Sequence, residues 1–374
     1  MQNLNFLIKP ASSLCNMRCR YCFYEDEAAC RTAANAGIML PEISETLIRQ
    51  AFAAQAGRGS VTFAFQGGEP TLAGLTYFRH FADTVRAVNE QNVPVQYAIQ
   101  TNGLTLDEEW ADFFADNRFL VGLSLDGSKA IHDEFRVDAA GRDTWTRIVK
   151  NLAMLQQKKV ELNLLCVLTK RCAKSPAKVY HTLKKLGARY LQFIPCLDPL
   201  EMARGSMPYS LTPEGYGNFL CTLFDEWYRD WRAGEYVSVR LFDDYVHLAM
   251  GEPAGTCATS GTCGAYFVAE SNGTLYPCDF YCLDEWELGK VGSAPLEELA
   301  HGETETRFLQ EGLDHPAECA ACRWKALCSG GCKRDWYRDE RGNHNYYCPA
   351  FQAFFAHAES RLAEIAQSER RYRP

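Results

Sequence analysis

With 374 residues, 47% hydrophobic and 23% charged, the chain is long enough to bury a large core and has the make-up of an ordinary soluble enzyme. A net charge of −8 argues against a nucleic-acid partner, whose phosphates select for concentrated Lys and Arg. Residues 1–13, MQNLNFLIKPASS, offer too short an apolar run for a signal peptide or a membrane span, so a cytoplasmic protein with no membrane partner is expected.

In chain order, six apolar runs predict buried strands: NFLIKP (5–10), SVTFAFQGG (60–68), VQYAIQTNG (95–103), FLVGLSLDG (119–127), ELNLLCVLT (161–169) and RYLQFIPC (189–196). Between them, apolar residues recur with helical spacing at 42–55, 75–90, 107–117, 144–159 and 175–187. Repeated βα units imply a parallel sheet, either a whole or partial barrel or a doubly wound sheet. Several strands end in polar or glycine-rich segments, QGGEP, QTNG and SLDG, and in such folds the carboxyl ends of strands carry the ligand site. Residues 198–256 read as a bridge, with an aromatic helix, YGNFLCTLFDEWYRDW, and a short strand, VSVRLF. From 257 the pattern changes. AYFVAESNGTLYPC predicts a hairpin turning at Asn272-Gly273, followed by cysteine-rich loops and a C-terminal helix.

The seventeen cysteines are the anomaly, since thiols in a reducing compartment more often bind metal or act in catalysis than form disulfides. They cluster: three at 15–22, four at 257–282 and five at 319–348, with Cys30, Cys166, Cys172, Cys196 and Cys221 scattered singly. Cys15, Cys19 and Cys22 form C-x3-C-x2-C. A structural zinc wants four ligands, so three thiolates without a nearby fourth suggest a centre with one open position. Part of a zinc site completed from elsewhere is the alternative, but tight thiolate spacings of this kind hold iron–sulfur clusters. Gln66-Gly67-Gly68-Glu69-Pro70 follows a buried strand, where paired glycines let backbone approach a ligand closely. Thr101-Asn102-Gly103 and Ser124-Leu125-Asp126 end strands on the same rim.

Cys15, Cys19, Tyr21 and Cys22, as C-x3-C-x-aromatic-C, resemble the signature of radical S-adenosylmethionine enzymes. The resemblance implies a 4Fe–4S cluster on the three cysteines whose open iron chelates S-adenosyl-L-methionine. It also implies cofactor contacts from Gly67, Gly68 and Glu69 at the methionine amino group, from Ser124, Arg136 and Leu197, and from Tyr21 near the adenine.

The later cysteines read Cys257-x5-Cys263-x9-Gly273-x4-Cys278, then Cys319-x2-Cys322-x5-Cys328-x3-Cys332, then Cys348. A zinc ribbon is a fair reading of the C-x2-C part alone. The complete pattern resembles the SPASM extension of radical enzymes, which implies two auxiliary 4Fe–4S clusters and three clusters in all. Carried over by position, Cys257, Cys263, Cys278 and Cys332 ligate one, and Cys319, Cys322, Cys328 and Cys348 the other. Cys282 matches no family ligand and is expected to be a free or packing cysteine.

LIKPASSxCNxxCxYCFY, FAFQGGEPTLAGL, IQTNG, QFIPCLDPL (192–200) and YPCDFY (276–281) together are similar to the anaerobic sulfatase-maturating enzymes. The likeness implies oxidation of a peptidyl Cys or Ser in a sulfatase to Cα-formylglycine, with Asp279 as catalytic base and an external one-electron donor such as flavodoxin or ferredoxin. Taken alone, Asp279 would read as a turn or cap residue. Tyr24 and Gln66 are candidate substrate-positioning residues. The expected architecture is α/β: a partial (β/α)6 TIM-like barrel over 1–200, a bridging segment over 201–256, and a cysteine-rich SPASM domain with a C-terminal helix over 257–374. The runner-up is a radical maturase of ribosomally made peptides, forming thioether or carbon–carbon cross-links. A non-catalytic iron–sulfur carrier or zinc scaffold is a third reading, against which GGEP argues, because an electron carrier needs no pocket for a methionine amino group.

Overall fold

The computed structural model describes residues 3–55, 59–264 and 266–372. It divides into two compact units. The first takes the described residues of Met1–Leu125, His132–Asn163 and Ala265–Phe308, and the second those of Asp126–Ile131, Leu164–Gly264 and Leu309–Pro374.

In the first unit, alternation of apolar and polar residues builds strands. β1 (Asn3–Ile8) buries Leu4, Phe6 and Ile8 on one face. β2 (Met17–Cys19) is short, whereas β3 (Ser60–Phe65), β4 (Val95–Thr101) and β5 (Phe119–Ser124) run parallel after β1 in that order. Their inward aromatics pack in layers, with Tyr97 and Phe119 stacked at 4.9 Å and Phe6 lying 5.7 Å from Phe63. Helices cover the sheet as the spacing predicts. In Leu75–Val88, Tyr77, Phe78, Phe81, Ala82 and Val85 form one buried stripe. Glu108–Asp116 starts where the Asp107 carboxylate accepts the Trp110 N–H, a cap that contributes about 1 kcal/mol.

The short strand β6 (Arg136–Asp138) pairs antiparallel with β2, setting Cys19 opposite Arg136. The strand β7 (Glu161–Leu168) leads into the second unit, where it pairs parallel with β8 (Tyr190–Pro195), and β8 with β9 (Ser238–Val239). VSVRLF is therefore strand over two residues only. A helix begins at Arg240, because Val239, Phe242, Tyr245 and Val246 bury with helical spacing. Two helices dominate this unit. Pro213–Arg232, capped by Thr212, packs on Cys348–Tyr372 with Phe224 lying 5.6 Å from Phe354 and Gly217 close against Ala350.

The predicted hairpin forms as β10 (Phe267–Ala269) and β11 (Thr274–Tyr276), turning through Gly273 at φ +82°. It belongs to the first unit: β10 lies parallel to β1, with Ile8 opposite Ala269, and β12 (Gly289–Lys290) extends it. A second hairpin, β13 (Trp336–Asp339) with β14 (Gly342–Asn345), lies in the second unit. Among the described residues, no helix is long and apolar enough to cross a membrane.

Candidate active site

The chain leaves β1 through Lys9 and Pro10 into the cysteine loop. Cys22 N–H donates to the Cys19 carbonyl at 3.0 Å, and Cys22 heads the helix Phe23–Ala29. Cys15, Cys19 and Cys22 border one cavity of about 390 Å³ with Gly68 and Tyr24, a volume suited to a small molecule. Donors point at two of the sulfurs. Met17 N–H lies 3.4 Å and Asn102 Nδ2 3.8 Å from Cys15 Sγ, and Arg136 Nη1 lies 3.9 Å from Cys19 Sγ. Three thiols on one wall, with hydrogen-bond donors behind them, fit a thiolate-held cluster, whose potential such donors tune. Burial raises the Cys15 thiol to about 11 and also raises Cys22, where the backbone N–H groups of Glu25 and Tyr24 oppose it.

GGEP closes on this loop backbone to backbone. Gly68 N–H donates to Ser12 at 2.9 Å and Glu69 N–H to Leu14 at 2.7 Å. A Cβ on Gly68 would stand 2.1 Å from the Leu14 carbonyl oxygen, and Gly67 sits at φ +122°. The close approach read from sequence is thus made, in the protein itself, to the cysteine loop. Glu69 is buried and committed. Its Oε1 accepts from Thr71 N–H at 3.1 Å, Thr71 Oγ1 at 2.6 Å and Thr101 Oγ1 at 2.7 Å, and its Oε2 accepts from Asn102 N–H at 2.8 Å. Burial nonetheless leaves its pKa above the ordinary value. Asn102 in turn donates to Asn16 at 2.7 Å, so the ends of β3 and β4 brace the cluster loop.

Tyr24, Gln66 and Asp279 converge, although they stand on a helix, a strand end and the turn after β11. Asp279 Oδ2 accepts from Tyr24 OH at 2.5 Å and from Gln66 Nε2 at 3.0 Å, and Asp279 N–H donates to Tyr266 OH at 3.0 Å. The Oδ1 atom is buried with no hydrogen-bond partner among the described residues, facing the Lys9 ammonium at 3.3 Å. Burial first, then the Asp279 charge, pushes the Tyr24 phenol far above its usual range, so it stays a donor. Lys9 donates to Glu27 Oε2 at 2.9 Å, and Glu27 Oε1 accepts Cys282 N–H at 2.6 Å. Burial opposes the charge on Lys9, but its negative neighbours, Cys282 first and then Glu27, Asp279 and Glu270, raise its pKa well above the ordinary value. Burial itself pushes the Cys282 thiol far up, which favours its protonated form. Arg31 completes the group, donating to Glu270 at 2.7 Å.

Tyr21 is buried under Arg136, whose guanidinium lies 5.3 Å from the ring centre, and packs on Phe135. Ser124 Oγ, at the end of β5, accepts from Gln100 Nε2 at 3.1 Å. Cys278 also lies in the first unit, with Tyr266 OH donating to its sulfur at 3.6 Å. Leu197, Cys257, Cys263 and Cys332 belong to the second unit. There Cys319, Cys322, Cys328 and Cys348 line a single cavity with Trp324, Phe351 and Phe355, while Cys332 is absent from its walls. Gln352 Nε2 donates to Cys348 Sγ at 3.4 Å. Burial raises Cys319 to about 11 and Cys328 to about 12. Four thiols around one apolar void fit a fully ligated cluster.

Glu27, Tyr266, Glu270 and Arg31 were not among the residues singled out by motif, and Lys9 stood in LIKPASSxCNxxCxYCFY without a role. One signal was present: Lys9 is the lone charge in the apolar run NFLIKP, and a lysine buried in such a strand needs a carboxylate partner.

Comparison with known proteins bears on the whole arrangement. Residues 10–172 match the model of the radical SAM superfamily, and residues 262–323 that of an iron–sulfur cluster-binding domain, SPASM. The chain is 43% identical to the cysteine-type anaerobic sulfatase-maturating enzyme of Clostridium novyi, over 98% of each chain. It is 30% identical to the serine-type enzyme of Bacteroides thetaiotaomicron, over 95% of this chain and 89% of that one. A solved structure of anSMEcpe with bound AdoMet and the Cp18Cys peptide superposes with a TM-score of 0.93 at 41% identity, covering 98% of this chain and 99% of that chain.

Proposed function

Because this chain belongs to the anaerobic sulfatase-maturating enzymes, we propose that Asp279 is the base of its reaction, held by Tyr24 and Gln66 and served by three iron–sulfur clusters. The fold is the radical SAM partial barrel with a SPASM segment. The enzyme oxidises a peptidyl Cys or Ser of a sulfatase to Cα-formylglycine. When bound, S-adenosylmethionine and the clusters supply abstraction of the substrate Cβ hydrogen and take up the remaining electron.

Cys15, Cys19 and Cys22 hold the cluster that binds the cofactor. Gly67, Gly68 and Glu69 present backbone to its methionine end. Tyr21, Ser124, Arg136 and Leu197 contact the rest of it. Cys319, Cys322, Cys328 and Cys348 hold a second cluster, and Cys257, Cys263, Cys278 and Cys332, on sequence pattern, a third. The protein's own task in the oxidation is to take the thiol or hydroxyl proton. A carboxylate can accept it, and the Tyr24 and Gln66 donors orient that carboxylate from one side. Cysteine is the favoured substrate residue, supported by 43% identity to the cysteine-type relative against 30% to the serine-type one. An external one-electron donor, such as flavodoxin or ferredoxin, starts each turnover.

The observation that carries this reading is the convergence of Tyr24, Gln66 and Asp279 through bonds of 2.5 and 3.0 Å. Asp279→Asn keeps the shape and removes the base. Formylglycine formation from a Cys peptide should fall by roughly two to four orders of magnitude. Deuterium from the substrate Cβ should still enter 5′-deoxyadenosine. A wild-type rate of formylglycine formation in this variant assigns Asp279 to the turn alone.

A further inference from the structure

We propose that Lys9, keyed by Glu27, is the positioning residue of the catalytic carboxylate; this rests on the reading of Asp279 as base. Lysine is almost never fully buried, and an apolar residue at the end of β1 would avoid the desolvation of an ammonium and its partners. What the ammonium does there is visible in its surroundings. Glu27 alone would balance it, through the hydrogen bond at 2.9 Å, and the Tyr24 ring centre lies 4.8 Å from it. Those two contacts fix the place of Lys9 independently of Asp279. The third neighbour, Asp279 Oδ1, has no hydrogen-bond donor among the described residues and faces this charge at 3.3 Å.

A carboxylate in a three-residue turn, bonded only through Oδ2, would be free to swing about its hinge on Tyr24 and Gln66. The ionic contact on the opposite oxygen removes that freedom. Lys9 also joins three segments that adjoin proposed cluster cysteines: the loop after β1, the helix after Cys22, and the turn after Cys278. An electrostatic tether of this kind acts through Asp279, so its loss should damage proton removal more than hydrogen abstraction.

The test uses the fully loaded enzyme and the variant Lys9→Met/Glu27→Gln, which removes one positive and one negative charge together, so that Glu27 is not left as an unpaired buried charge and Asp279 alone loses its ionic contact. Iron content, 5′-deoxyadenosine and formylglycine are measured with a Cys-containing sulfatase peptide. Iron should stay at the wild-type level, while formylglycine formed per 5′-deoxyadenosine drops at least about tenfold. In an Asp279→Asn background the same two substitutions should change the formylglycine rate by less than about twofold, since residues acting as one unit are non-additive. Glu27→Gln alone, which keeps Lys9 but removes its key, should shift the ratio in the same direction by a smaller factor.

A wild-type ratio in the balanced variant, or a full additive loss in the Asn background, overturns the proposal. Loss of iron in both the balanced variant and Glu27→Gln also overturns it, assigning the pair to folding. Should Asp279→Asn itself work at the wild-type rate, the base assignment fails first. A normal balanced variant beside a crippled Asn variant instead fails Lys9 alone.

Discussion

Gly68 N–H and Glu69 N–H both bond the cysteine loop, and the glycine Cα faces the Leu14 carbonyl with no space for a methyl group. The blocking atoms are backbone, which cannot rotate aside as a side-chain tip can. Gly68→Ala should therefore displace residues 12–15 and with them the Cys15 sulfur. About four irons should be lost from the N-terminal site, with the cluster at Cys319–Cys348 retained, as measured by iron content and by electron paramagnetic resonance. Unchanged iron would mean that the loop yields without cost. Sequence made this glycine legible as a point of close approach, but not what approaches, because a strand-end GG pattern has the same form whether its neighbour is ligand or chain. Lys9 was hidden for a different reason. Its partners Glu27 and Asp279 lie 18 and 270 residues away, and no periodicity links them.

At the scale of elements, the long periodic segments were readable and the short pairings were not. The strands at 5–10, 60–68, 95–103 and 119–127 begin or end within a few residues of β1, β3, β4 and β5, since an apolar run marks the whole length of a buried strand. The Asn272-Gly273 turn was equally plain from its chemistry, but its docking beside β1 depends on a register that no local pattern encodes. β2 and β6 have three residues each, too few to show alternation, although their pairing is what sets Arg136 against Cys19. The β13–β14 hairpin was missed for similar reasons, and it carries a pH-sensitive clasp. His344 hydrogen-bonds Glu318 at 3.2 Å and Asp339 at 3.0 Å, and these partners, Glu318 first, raise its pKa above 6.5. A histidine raised on folding stabilises fully below its unfolded value, and that contribution is lost as pH rises through the folded one. His344→Gln should accordingly lower the thermal midpoint more at about pH 6 than at about pH 8.5. Equal shifts at both would make the clasp irrelevant to stability.

For the whole molecule, the proposed division of eleven cysteine ligands as three, four and four predicts about twelve irons per chain after anaerobic loading. Replacing Cys15, Cys19 and Cys22 together by Ala should leave about eight and abolish 5′-deoxyadenosine formation. Zinc in place of iron at Cys319–Cys348 would falsify the three-cluster count. The division of the later cysteines is what the family resemblance implies, and in the structure Cys319, Cys322, Cys328 and Cys348 line one cavity whose walls do not include Cys332.

Burial has one more effect on those thiols. It pushes the Cys15, Cys319 and Cys328 thiols up, which favours their protonated form in a chain that has not yet taken up iron. Protonated thiols are poor nucleophiles, so these three positions are less open to alkylating and oxidising agents than an ordinary thiol. Cys30 and the proposed cluster ligand Cys257 are exposed and lack the shelter of burial. Loading iron must then expel protons from the interior, which makes maturation of this enzyme, itself a maturase, slow in acid and favoured by mild base.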